Sequence, residues 1–320
     1  MVFGLARGLM SETITLAHIS DVHLAPLAGF HPRYWNVKRG LGFLNWHQGR
    51  RFVHRREVAD AIARDALAQE PDHIAVTGDL ANLWLPGEYD LAFAWLAALG
   101  SADRVSVVPG NHDIYTARMH GASCLERWAP FMTSDAWGAG IGAARRGFPY
   151  VRRRGPMAII GLNSAVPTPP FVASGRLGRE QIESVAPLLE RVAAEGLARV
   201  VLIHHPPLPG QNPPRRGLED AEDFTRVLER AGAELVLHGH NHRDMLAWRQ
   251  WAAGHIPVIG IASGSVARAH KDEYLARYNL IRIARNGAGF EIDCVTRGLD
   301  GRGSVIAELS RRRLANRSGA

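Results

Sequence analysis

The sequence predicts an α/β protein built on a largely parallel sheet, and three observations predict it. Between residues 13 and 240, short β-rich runs alternate with helical stretches. After residue 244 the pattern changes to strands alone. The ends of the strands collect Asp, Asn and His, residues that are costly to bury without partners. Alternation of the first kind reads as βαβ units, which pair strands in parallel. An all-strand tail can form a second sheet packed on the first.

Taken in order, "TITLAHIS" (13–20) reads as a strand, "HRREVADAIARDALAQE" (54–70) as a helix and "HIAVTGD" (73–79) as a strand. "GEYDLAFAWLAALG" (87–100) follows as a helix and "RVSVVPG" (104–110) as a strand. Strand "MAIIGLN", helix "REQIESVAPLLERVAAEG", strand "ARVVLIHH", helix "EDAEDFTRVLERAG" and strand "ELVLHGH" come next. The tail supplies "MLAWRQW", "IPVIGIAS", "YNLIRIAR" and "FEIDCVT". We read residues 1–305 as a single domain, with 30–56 as an insertion able to act as a lid, and 306–320 as a loose basic tail.

Composition bounds the function. The 320 residues are 46 % hydrophobic and 22 % charged, as in an ordinary globular protein with ample core. Thirty-eight Lys and Arg against 31 Asp and Glu give +7, which suits phosphates, nucleic acid or an anionic membrane without choosing among them. Cys124 and Cys294 are too few for a disulfide framework or a cysteine zinc site. The first residues hold no apolar run long enough for a signal sequence, and no stretch is long enough to span a bilayer. A cytoplasmic protein is the expectation.

The polar clusters stand at five strand ends. "SDVH" supplies Asp21 and His23, "TGD" supplies Asp79, and "GNHD" supplies Asn111, His112 and Asp113. "HHPP" carries His204 and His205, and "HGHNH" carries His238, His240 and His242. In open α/β sheets the carboxyl ends of strands converge on one crevice. D-x-H and H-x-H spacing lets two side chains reach one centre while the residue between points away. Mixed oxygen and nitrogen ligands suit Mn, Fe, Zn or Co rather than Ca. Seven candidate ligands exceed one tetrahedral site and suit two metals sharing a carboxylate. Asp21 or Asn111 alone would read as a turn residue; their joint placement argues for a site. His18 and His238, inside apolar strands, read as structural. No G-x-S-x-G elbow and no G-x-x-x-x-G-K-[ST] loop occurs.

The blocks "DVH", "GD", "GNHD", "HHPP" and "GHNH", in that order over residues 21–242, resemble the calcineurin-like metallophosphoesterase superfamily. The resemblance implies a four-layer αββα sandwich, two mixed sheets flanked by helices, with a dinuclear metal site at the strand C-terminal ends. It would give Asp21, His23 and His242 to one metal, Asn111, His204 and His240 to the other, and Asp79 to both. His112 would stand beside the substrate phosphate as charge stabiliser or proton donor, with Asp113 orienting its ring. The implied activity is phosphoester hydrolysis, above all of phosphodiesters, by in-line attack of a hydroxide bridging the two ions. The pattern departs from purple acid phosphatases, whose metal-binding tyrosine is replaced by Asn82, and from protein serine/threonine phosphatases, whose G-D-x-V-D-R-G is absent. It looks more like the bacterial cyclic-nucleotide and glycerophosphodiester phosphodiesterases.

The insertion "FHPRYWNVKRGLGFLNWHQGRRFVHRR" mixes basic side chains with Phe30, Tyr34, Trp35, Phe43, Trp46 and Phe52. It reads either as a packed surface loop or as a lid that grips a large anionic substrate or an anionic membrane surface. Arg33, Lys38, Arg39, Arg50 and Arg51 are the phosphate-gripping candidates. UDP-diacylglucosamine pyrophosphatases belong to the same superfamily, so a nucleotide-linked lipid, hydrolysed by an enzyme peripheral to the membrane, is the alternative substrate. A nuclease or a non-catalytic phosphate or nucleic-acid binder ranks behind. The residues after 242 read as strands of the second sheet rather than as a DNA-capping domain.

Overall fold

The structure, a computed structural model, describes residues 13–314 apart from 30, 117–122, 269, 271, 288 and 302–304. Phe30 of the insertion and the end of the basic tail, 315–320, therefore lie outside the described residues. The strands are β1 (Thr13–Ile19), β2 (His73–Val76), β3 (Val105–Val107), β4 (Tyr150–Arg154), β5 (Met157–Gly161) and β6 (Ala198–Leu202). They continue with β7 (Leu235–His238), β8 (Met245–Trp251), β9 (Gly254–Gly260), β10 (Arg277–Asn286), β11 (Gly289–Leu299) and β12 (Ile306–Arg313). The helices are α1 (Val37–Asn45), α2 (Arg51–Val53), α3 (Arg56–Ala68), α4 (Pro86–Leu99), α5 (Cys124–Arg127), α6 (Ala136–Gly140), α7 (Arg179–Ala194) and α8 (Ala221–Ala231).

Two mixed six-stranded sheets run in the orders β12-β11-β10-β1-β2-β3 and β4-β5-β6-β7-β9-β8. The central strands are near-continuous apolar runs because both faces are covered. Successive residues of β6 serve different layers, as the twofold period of a strand requires. Val200 and Leu202 join Leu16, Val76 and Ile283 in the core between the sheets. Val201 joins Val185 and Leu189 of α7 and Phe224 and Leu228 of α8 on the outer face. The Phe224, Val227, Leu228 and Ala231 spacing gives α8 one apolar stripe, and that stripe is what it buries. On the far side α3 and α4 contribute Ile62, Ala66, Trp95 and Leu96. The result is helix, sheet, sheet, helix, as the resemblance implied.

Four details differ from the sequence reading. The C-terminal strands do not make a sheet of their own: β8 and β9 extend one sheet, while β10, β11 and β12 extend the other. The tail is not loose from 306, because β12 pairs antiparallel with β11 from Leu299↔Ile306 to Asp293↔Arg313. β4 escapes notice because three arginines follow its "YV"; Arg152 is nevertheless buried, donating to the carbonyls of Ala102, Val105, Pro130 and Thr133. The insertion is helical, with α1 running through a π-turn at Trp46–Arg50 into α2.

Parallel register brings the strand ends together. Ile19 pairs with Val76 and Val76 with Val107 in one sheet, and Leu202 pairs with Leu237 in the other. Hydrogen bonds continue past the strands: Asp21 N donates to Gly78 O at 2.9 Å and Gly239 N to His204 O at 3.0 Å. Gly264 N, beyond β9, donates to Ser20 O at 2.8 Å and so joins the mouths of the two sheets.

Candidate metal centre

All seven sequence-selected ligands meet at this common edge, and all seven are buried. They fall into two nests. In one, His242 Nε2 lies 3.3 Å from Asp21 Oδ1 and 3.3 Å from His23 Nε2. In the other, Asn111 Oδ1 lies 2.9 Å from His240 Nδ1 and 3.2 Å from His204 Nε2. Asp79 stands between them, its Oδ2 3.8 Å from His23 Nε2 and 3.5 Å from His204 Nε2.

The local backbone is bent to achieve this. Asp21 (φ 53°), His23 (φ 39°), Asp79 (φ 55°), His240 (φ 72°) and His242 (φ 52°) all sit in the left-handed region. Each such residue costs on the order of 1 kcal/mol, and strain of this kind persists where surrounding structure imposes it for function. Gly110 and Gly239 are needed for close approach. A Cβ at Gly110 would lie 2.2 Å from Asp79 Oδ1, and one at Gly239 would lie 2.3 Å from Asp21 Oδ2.

The donor chemistry fits cations. His23 Nδ1 donates to Ala81 O at 3.1 Å and His204 Nδ1 to Thr77 O at 2.6 Å. Both rings therefore turn an Nε2 lone pair into the nests. His240 Nε2 is buried without a hydrogen-bond partner. Lone pairs aimed at one another in a buried pocket repel unless a proton or a metal stands among them. Burial holds His23 and His240 neutral. Burial also opposes charging of His242, but the hydrogen bonds its ring donates to the Asp21 and Glu273 carboxylates outweigh it and push its pKa up to about 9.

Two side chains that the sequence did not select, Glu273 and His54, and one that it named only as a phosphate-gripping candidate, Arg50, complete the centre. Glu273 Oε1 approaches His242 Nδ1 at 3.3 Å. His54 stacks edge-on to His23 at 4.8 Å between ring centroids, and together with His23 and His242 it could hold a metal. Arg50, at the end of the π-turn, places Nη2 2.6 Å from His23 Nε2 and Nη1 3.0 Å from His112 Nε2. A guanidinium thus stands where the lone pairs ask for positive charge.

The role expected for Asp113 needs correction. The ring of His112 is held by Asn82, whose carbonyl accepts from Nδ1 at 2.6 Å, and it stacks on Tyr115. The Asp113 carboxylate instead accepts from the backbone N–H groups of Asp79, Leu80, Ala81 and Gly110. It fixes the loop that carries Asp79. His205 is engaged by Ser164 Oγ at 2.8 Å and Ala173 O at 3.3 Å, while His18 and His238 are buried against Thr77 and Gly239.

Of the five phosphate-gripping candidates, only Arg50 lines the cleft, which has a volume of about 500 Å³. Arg39 donates to the carbonyls of Tyr34, Leu83 and Trp84. Lys38 donates to Tyr115 O and to Thr168, with burial lowering its pKa to about 8. Arg33 donates to Tyr34 Oη, and Arg51 lies over Phe52.

Residues 14–244 match the family model described as calcineurin-like phosphoesterase. The chain belongs to the calcineurin-like phosphoesterases. It is therefore a phosphoric ester hydrolase, of a family that uses a dinuclear metal site. The chain is 26 % identical over 262 residues to glycerophosphodiester phosphodiesterase GpdQ of Enterobacter lignolyticus (strain SCF1), covering 80 % of each chain. Its fold is similar to that of a dimetal phosphatase from Danio rerio, with a TM-score of 0.58 and 14 % identity over 95 % of this chain and 99 % of that one. Among the described residues, no helix of this calcineurin-like phosphoesterase is long and apolar enough to cross a membrane.

Proposed function

We propose that this enzyme hydrolyses phosphodiesters at a pair of transition-metal ions. Asp21, His23 and His242 would hold one ion, Asn111, His204 and His240 the other, and Asp79 both. The carrying observation is the placement of Asp79 Oδ2 between two nests of lone pairs, 3.8 Å from one histidine and 3.5 Å from the other. Bound there, Mn, Fe, Zn or Co would acidify water towards a pKa of ~7 and neutralise phosphate oxygens.

The protein's own groups supply the rest. Asp113 holds the Asp79 loop rigid through four backbone N–H groups. With Nδ1–H committed to Asn82, neutral His112 offers only a lone pair at Nε2. Burial and the charge of Arg50 keep that ring unprotonated. An arriving phosphate anion reverses the local field, so His112 takes up a proton from solvent at Nε2 and gives it to the leaving oxygen. Arg50, always charged and forked, grips a phosphate oxygen. The similarity to a glycerophosphodiester phosphodiesterase supports diesters as the substrate class.

The test is to strip the protein with chelator, reload it with each metal, and compare bis-p-nitrophenyl phosphate with p-nitrophenyl phosphate. Metal-dependent turnover favouring the diester is expected. Turnover indifferent to chelation, or confined to the monoester, contradicts the proposal.

The alternative, a nucleotide-linked lipid such as UDP-diacylglucosamine, draws on one observation. Asn45, Gln48, Gly49 and Arg50 of the insertion form a wall of the cleft, so the basic and aromatic segment they belong to borders it. Turnover of that lipid well above bis-p-nitrophenyl phosphate would favour it. The nuclease reading loses ground, since the strands beyond residue 244 all enter the two sheets.

A further inference from the structure

Helix α1 is inside out. A surface helix buries its apolar stripe and leaves its charges in water. Here Lys38 and Arg39 are 9 % and 1 % exposed, while Val37, Leu41 and Leu44 are 73 %, 38 % and 53 % exposed. The spacing of these three, i, i+4 and i+7, puts them on one face. The inner face is pinned by the hydrogen bonds of Lys38 and Arg39 already described, so the outer face is held outward by polar contacts rather than by accident of a loop.

A second element reinforces the first. Phe171 is 80 % exposed and holds a left-handed φ of 64°, a conformation costly for an aromatic residue. Its loop is tied to α1 through Lys38 Nζ, which donates to Thr168 O at 2.9 Å and to Thr168 Oγ1 at 2.7 Å. Thr168 Oγ1 in turn donates to Val172 O at 2.6 Å. Ala173 at one end of this loop, and Asn45 at the end of α1 with Gln48, Gly49 and Arg50 beyond it, line the cleft. The apolar rim therefore borders the mouth of the site.

The insertion carries charge of one sign, whereas Asp272 and Glu273 stand on the other side of the cleft. Residues 30–56 contain no Asp or Glu. Guanidinium groups interleave with the exposed Phe52: Arg51 lies 4.5 Å and Arg268 5.9 Å from its ring centroid. Aliphatic and aromatic groups fringed by arginines match the interface of a bilayer with acidic headgroups. A second copy of this chain would bring like charges together.

We propose that the outer face of α1, with Phe52 and the Phe171 loop, docks on an anionic lipid surface and sets the cleft mouth against the bilayer. This concerns where the enzyme works and stands whether its substrate is water-soluble or lipid-linked.

The test uses the full-length, metal-loaded protein with vesicles of phosphatidylcholine, with and without phosphatidylglycerol, read by co-sedimentation. Binding to the anionic vesicles, weakened by salt, is expected. The triple variant V37S/L41S/L44S should lose tenfold or more of this binding, F171S should lose a measurable share on its own, and R51E about fivefold or more. Turnover of bis-p-nitrophenyl phosphate should be unchanged in the triple variant and in F171S, which shows that they fold. The proposal is overturned if the wild type stays in the supernatant with both vesicle types. It is equally overturned if the triple variant and F171S bind as the wild type does, or if the triple variant instead splits a wild-type dimer that ignores vesicles.

Discussion

Replacing Gly110 by alanine tests how tightly the two nests are joined. The added methyl would stand 2.2 Å from Asp79 Oδ1, 2.6 Å from Asp79 N and 2.7 Å from His204 Cε1. Comfortable contact with carbon begins near ~3.5 Å, so atoms of both loops must retreat by about 1 Å. Overpacking of this kind costs about 1–3 kcal/mol. Ligand positions tolerate only about 0.2 Å around a metal, and a displacement of ~1 Å at a reacting centre costs on the order of 100-fold in rate. G110A should melt lower, bind its metals more weakly and lose about two orders of magnitude in kcat/KM. The control is Gly140 in α6, where a Cβ meets nothing within 4 Å; G140A should leave metal affinity and turnover intact and stabilise by up to about 1 kcal/mol. Calorimetry, metal titration and steady-state kinetics read all three quantities. A G110A protein with wild-type metal affinity and turnover would refute the close approach of Gly110 to Asp79.

Arg50→Ala should lower kcat/KM about 10- to 100-fold with metal stoichiometry unchanged, while Arg50→Lys should restore only part of it, because the fork is lost. Asp65→Asn tests how α3 is tied to β10 and β11: Asp65 accepts from Tyr278 Oη at 2.6 Å and from Arg297 Nε at 2.8 Å. Burial works against the Asp65 carboxylate, but these two partners win and lower its pKa. Its stabilisation is therefore present above the usual carboxylate range and fades as pH falls through the lowered value. D65N should lose about 1–2 kcal/mol in urea unfolding at pH 7, and the deficit should shrink in acid; a deficit constant with pH contradicts this. Removing metal should destabilise the protein by about 2.7 kcal/mol relative to a sample holding free metal at a hundred times its dissociation constant, seen as a lower Tm after chelation.

Much of the centre was legible because chemistry restricts its alphabet. Asp21, His23, Asp79, Asn111, His204, His240 and His242 each stand just past a strand, and parallel strands deliver their ends to one edge. What stayed hidden works through the backbone or from a distance. Asn82 acts through its carbonyl, which any residue possesses. Glu273 and His54 come from segments far from the recognisable blocks, and their identity alone marks nothing. Arg50 was one of five basic residues that looked alike in "RYWNVKRGLGFLNWHQGRR"; only folding sends Lys38 and Arg39 inward to carbonyls and Arg50 to the cleft. Strand periodicity revealed β8 to β11 but not which sheet each would join, since pairing is a long-range choice. β12, "IAELSRRR", hid as an edge strand because its exposed, charged face makes it look like a tail.

The most direct measurement is anomalous diffraction from crystals of the manganese-loaded protein. Two peaks, roughly 3.5–4 Å apart, should appear with the Asp79 carboxylate between them, one beside Asp21, His23 and His242 and the other beside Asn111, His204 and His240. A single peak, or metal bound away from Asp79, would contradict the shared dinuclear centre on which the activity is argued.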